Sequence, residues 1–129
     1  MKYMLATYGG TEQDFGVSGW SNDEVKKMLD FMQEINEELA ESGELVDAQG
    51  LTDASHAKVV HIENGVPVTT DGPYAETKEI LAGYWVVDCE SMDRALAIAA
   101  RIATVPVPAQ TPPVRIEVRP IGEAPSPEI

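Results

Sequence analysis

Residues 82–102 read AGYWVVDCESMDRALAIAARI, and the two halves of this stretch follow different periods. The first eight residues are nearly all apolar, with two aromatics and two valines, which is the composition of a buried strand. Ser91 has the side chain that satisfies a free helix N-terminus. Met92, Ala95, Leu96, Ala99 and Ile102 then recur at helical spacing on one face. A strand passing directly into an amphipathic helix is half of a two-layer α+β domain.

The other half lies at the N-terminus. Residues 2–8, KYMLATY, are short, aromatic and apolar, again a buried strand. Ser21-Asn22-Asp23-Glu24 is a capping box, and Val25, Met28, Leu29, Met32, Ile35 and Leu39 form an apolar stripe behind it. Met28 and Met32 belong to that stripe as core. Gly43 supplies a left-handed stop. Residues 44–51 read as a strand, and 57–62 and 66–70 flank Asn64-Gly65, a two-residue hairpin signal. That turn pairs Lys58 with Asp71, Val59 with Thr70 and His61 with Val68, so Asp71 and His61 face opposite ways. A proline-rich link over 106–113 leads to 114–119, where apolar and charged residues alternate.

Without the hairpin the order is βαββαβ, the ferredoxin-like arrangement of an antiparallel sheet and two helices. It occupies residues 1–122, with 123–129 as a loose tail. Both helices cover one sheet face and nothing in the pattern covers the other, which predicts a homodimer packed sheet to sheet.

Charge narrows the partners. Nine basic residues against 22 acidic ones leave a net charge of −13, with no basic patch for nucleic acid or for an anionic membrane. Cys89 is the single cysteine and reads as buried and inert. Two histidines with scattered carboxylates make no metal set, and no phosphate-binding or hydrolase motif is present, so no cofactor is implied. There is no cleavable leader and no membrane-length apolar run, which predicts a cytoplasmic protein.

Residues 70–79 read TDGPYAETKE. Asp71, Gly72 and Pro73 are turn chemistry, whereas Glu76, Thr77, Lys78 and Glu79 are polar residues on the rim of the following strand. The run resembles the signature of the DGPFAETKE family within the YCII-related group, with Tyr74 where the family usually has Phe. Residues 2–8, 81–85 (LAGYW) and 118–120 (VRP) fit the same resemblance. It implies the dimeric α/β-barrel version of the ferredoxin-like fold. Some relatives act on small cyclic compounds, with a proposed His–Asp pair, and the genes often neighbour those of alternative sigma factors. Residues 20–24, WSNDE, hold no histidine, so that pair is not carried over.

Two functional readings follow. One is a small-molecule-binding or regulatory homodimer whose pocket is bordered by Asp71 to Glu79, with Tyr8, Tyr74 and Trp85 as walls. The other is a cofactor-independent acid–base enzyme acting on a small cyclic substrate, with Asp71, Glu76, Lys78 and Glu79 as candidate catalytic groups. A dimeric scaffold without a ligand is the third possibility. His56 reads as exposed and His61 as structural or surface-facing.

Overall fold

The computed structural model describes residues 1–9, 17, 19–52, 54–72 and 79–123. Their order is β1 (Lys2–Gly9), α1 (Asn22–Ser42), β2 (Leu45–Gly50), a 3-10 turn (Ala54–His56), β3 (Lys58–Glu63), β4 (Val66–Asp71), β5 (Ile80–Asp88), α2 (Met92–Ile102) and β6 (Ile116–Pro120). The expected elements are all present, most of them shifted by a residue or two at their ends. Most of the expected loop after β1, the centre of the 70–79 run and residues 124–129 of the expected tail lie outside the described residues.

Local chemistry sets the ends of α1. The Glu24 N–H donates to Ser21 Oγ at 3.1 Å and the Ser21 N–H to Glu24 Oε1 at 2.9 Å, a complete capping box. Gly43 adopts φ 79° at the other end. Its N–H and that of Glu44 close on the carbonyls of Ala40 and Leu39. Ser91 caps α2, accepting from the Arg94 N–H at 3.1 Å.

The helix faces are rotated from the expected stripes. In α1 the buried residues are Ile35 and Leu39, Phe31 packs against the core, and Leu29 is 55% exposed. At about 100° per residue, Leu29 lies about 100° from the Ile35–Leu39 line and Phe31 only about 60°. The same geometry exposes Leu96 in α2 and buries Ile98, which the expected face omitted.

β1 is central in a four-stranded antiparallel sheet of order β2-β5-β1-β6. With two helices, this order is compatible with the ferredoxin-like arrangement. The register pairs Tyr3 with Val87, and Leu5 with both Trp85 and Val118. These side chains meet Ile35, Leu39, Ile98 and Ile102 in the core. Met4, Tyr84 and Val86 alternate onto the opposite face, where they are only half-buried. Cys89 is buried, as expected.

β3 and β4 form a separate two-stranded sheet in the expected register, with Lys58 opposite Asp71 and His61 opposite Val68. Asn64 (φ 50°) and Gly65 (φ 78°) both take positive φ, as a tight hairpin turn requires.

One ion pair ties the layers together. Arg94 at the start of α2 donates from Nε to Glu44 Oε2 at 2.9 Å and from Nη2 to Glu44 Oε1 at 2.7 Å. These bonds hold the Glu44 pKa down to about 2 against the opposing effect of burial, with help from the Ser42 hydroxyl. A carboxylate with a depressed folded pKa stabilises the fold above its unfolded pKa of 4.5 and loses that contribution as pH falls toward 2.

Two outcomes test this account of the fold. Because Arg94 is substantially exposed, Glu44→Gln should cost about 1–2 kcal/mol at pH 7. Urea titrations should show the difference from the parent shrinking as pH falls from 4.5 toward 2. Gly83→Ala tests the β2–β5 contact, since an added Cβ would lie 2.9 Å from the Gln49 carbonyl oxygen. A backbone atom gives way poorly, so the loss in thermal or urea unfolding should be about 1–3 kcal/mol.

Candidate functional site

The end of β1 and the starts of β5 and β6 converge at one end of the main sheet. Thr7 pairs with Ile116, Tyr8 with Leu81 and Gly9 with Ile80. The β1–β5 register shifts between Thr7 and Tyr8, leaving Ala82 without a partner on β1. Such a bulge bends the strand and turns the side chains beyond it. Tyr8 follows Ala6 onto the face opposite the helices and reaches Glu117, which stands across from Ala6 on β6.

A cleft of about 470 Å³ opens here, lined by Tyr8, Glu79, Arg115, Ile116 and Glu117. The Tyr8 hydroxyl donates to Glu117 Oε1 at 3.2 Å. Arg115 Nη2 donates to Glu79 Oε1 at 2.6 Å. Partial burial raises the Tyr8 pKa first; the hydrogen bond to Glu117 and the charges of Glu117 and Glu79 add to it, with Arg119 opposing. The phenol therefore stays protonated at neutral pH and works as a hydrogen-bond donor. Both ion-paired side chains are largely exposed, so a ligand can take over their hydrogen bonds at little cost. An aromatic ring and a few charges of both signs, beside Ile116, which packs against the core on the helix side, are materials for a small-molecule site.

The candidate residues divide between several places. Tyr8 and Glu79 meet in the cleft. Asp71 ends β4 on the separate hairpin, where an ion pair with Lys58 lowers its pKa. Trp85 points the other way, into the core, 6% exposed, with its indole N–H donating to Asn36 Oδ1 at 2.8 Å. It fixes α1 to the sheet and does not line the cleft. Tyr74, Glu76 and Lys78, with Pro73 and Thr77, lie outside the described residues.

His56 is exposed in the 3-10 turn, and His61 lies 3.9 Å from Glu63 on the exposed hairpin. Among the described residues no cluster of three or more His, Cys, Asp or Glu could hold a metal ion. No described helix is long and apolar enough to cross a membrane.

Arg115, Ile116 and Glu117 were not among the candidates. The alternation over 114–119 marks a strand, but only the pairing of Thr7 with Ile116 brings its start to Tyr8. A second hollow of about 240 Å³ separates α1 from α2. Its arginines are already engaged, Arg94 with Glu44, and Arg101 with Glu34, Glu38 and the face of Phe31.

Residues 1–107 match the model of the YCII-related domain. A protein of Rhizobium meliloti (strain 1021), described as uncharacterized, is 32% identical over 114 residues, covering 84% of this chain and 89% of that relative. The family match ends before β6, so Arg115, Ile116 and Glu117 lie beyond it.

The electrostatics of the cleft can be read directly. In an ultraviolet titration, the difference between the parent and Tyr8→Phe isolates the Tyr8 phenol. Its pKa should lie above the usual 10 and move down toward it in Glu117→Gln. A Tyr8 that titrates identically in the parent and Glu117→Gln would remove Glu117 as a cause.

Proposed function

We propose that this chain, which belongs to the YCII-related domain family, works as a homodimer that binds a small polar organic molecule in the cleft at Tyr8 and Glu79. The observation that carries this reading is the meeting of Glu79, the last residue of the TDGPYAETKE run, with Tyr8 near the N-terminus. Residues far apart in sequence converge on a cleft whose volume falls within the range of small-ligand sites. The ligand chemistry that fits is an apolar body against the Tyr8 ring with a polar group on Glu79, Arg115 or Glu117. The dimer is supported by the half-buried apolar residues Met4, Tyr84 and Val86 on the sheet face away from the helices.

Two candidate groups have shifted titrations. Asp71 has its pKa lowered by Lys58, whereas a general base at neutral pH needs one raised toward 7. Tyr8 has its pKa raised, which suits hydrogen-bond donation. Acid–base catalysis on a small cyclic substrate remains the second reading, favoured by the Tyr8–Glu117 couple inside a cleft.

The test is a nuclear magnetic resonance titration with small aromatic and aliphatic acids and amines, benzoate and benzylamine among them. At least one probe should shift the Tyr8 and Ile116 amides. Arg115→Ala and Glu117→Gln should weaken that probe by about tenfold in the variant that loses its contact, with the melting temperature unchanged. If no probe moves the cleft, or both variants bind as the parent does, the reading is wrong.

A further inference from the structure

We infer that the cleft at Tyr8 takes an organic cation, a small protonated amine with an apolar body, in preference to an organic acid. The inference rests on the small-molecule cleft proposed above and adds to it the charge of the ligand. Arg115 is the one cation in the described lining, and its Nη2 already donates to Glu79 Oε1 at 2.6 Å. Glu117 differs. Its Oε1 accepts from the neutral Tyr8 hydroxyl at 3.2 Å. Among the described residues, no Lys, Arg or His side chain lies within ion-pair distance of its carboxylate.

Anions and cations therefore meet different resistance. An organic acid reaching Arg115 would take its hydrogen bond from Glu79 and leave two carboxylates side by side, which their like charge disfavours. An ammonium group on Glu117 displaces no ion pair. It can also leave the Tyr8 hydrogen bond in place, since a carboxylate accepts through two oxygens. The Tyr8 side chain is 41% exposed beside that carboxylate, and an aromatic face attracts an ammonium through its quadrupole.

Arg119 is the competing cation, exposed and on the same face of β6 as Glu117. It stands opposite Met4, whereas Glu117 stands opposite Ala6, so it is further from the Tyr8 end of β1 and does not line the cleft. Of the charges that act on the Tyr8 phenol, Glu117 outweighs Arg119 and Glu79 adds to Glu117, so their sum there favours positive charge. The chain's net charge of −13 acts in the same sense at longer range. A metal ion fits less well, because hard cations take several oxygen ligands. Among the described residues no cluster of three or more His, Cys, Asp or Glu could supply them.

The experiment compares benzylamine, benzyl alcohol and benzoate, which share a ring and differ in charge. Each is titrated into the full chain at neutral pH and low ionic strength, with the Tyr8 amide followed by nuclear magnetic resonance. Benzylamine should bind at least about tenfold more tightly than the other two. Glu117→Gln should remove that advantage with the melting temperature unchanged. If benzyl alcohol or benzoate binds as tightly as benzylamine, the charge preference is overturned while the cleft stands. A preference that survives Glu117→Gln does not come from Glu117, and the inference fails. If no probe moves the cleft, the cleft reading fails and the inference falls with it. A second measurement needs no change at Glu117: saturation with benzyltrimethylammonium, whose charge does not titrate, should lower the Tyr8 pKa in the ultraviolet difference titration. An unchanged Tyr8 pKa overturns the placement of the cation beside Tyr8 and Glu117.

Discussion

β1 is hydrogen-bonded on both edges, to β5 and to β6, and β2 takes its place through β5, so the main sheet depends on the register between β1 and β5. A slip of one residue along β5 would turn Trp85 and Val87 away from the helices and bring Tyr84 and Val86 into the core. The observed register instead sets Tyr3, Leu5, Trp85 and Val87 against Ile35, Leu39, Ile98 and Ile102. Trp85 adds direction to that burial, since its indole N–H is satisfied by Asn36 on α1. A buried indole donor left without an acceptor would cost about 1–3 kcal/mol.

The same register builds the cleft. β1 stays in step with β6 through Thr7 but shifts against β5 between Thr7 and Tyr8. Tyr8 therefore stands beside Glu117 at the point where the sheet becomes irregular, close to the start of β5 at Glu79 and Ile80. Bulges at sheet ends commonly aim side chains into sites. Here the chain also leaves β2 at Gly50, opposite Gly83, and returns at Ile80, so the hairpin is connected to the same end of the sheet as the cleft.

Electrostatics divides into structural and available groups. Arg94 and Arg101 serve the helical layer, one clamped on Glu44 and the other spread over Phe31, Glu34 and Glu38. Glu79 and Arg115 are paired in the open, where water competes for both. The excess of acid over base keeps the surface negative, while the hairpin face that carries Val60 and Ile62 has one ion pair, Lys58 with Asp71, at its base.

Local chemistry was legible in the sequence wherever a few neighbouring residues decide the outcome. Ser21 with Glu24, Gly43, Ser91 and Asn64-Gly65 each act within one turn of chain, and both helices and the hairpin register followed from them. The apolar stripes were legible only to within about 100°, because Leu29 and Leu96 are as apolar as their buried neighbours and the packing surface alone selects the face. Tyr8 and Glu79 were marked as candidates by residue type and motif. Their meeting with Arg115, Ile116 and Glu117 depended on the pairing of β1 with β5 and β6. Trp85 shows the same limit from the other side: an aromatic on an apolar strand is equally suited to a pocket wall or a core. Which of the two it becomes depends on which face of the strand meets the helices, and that is decided by long-range strand register, which no local stretch of sequence contains.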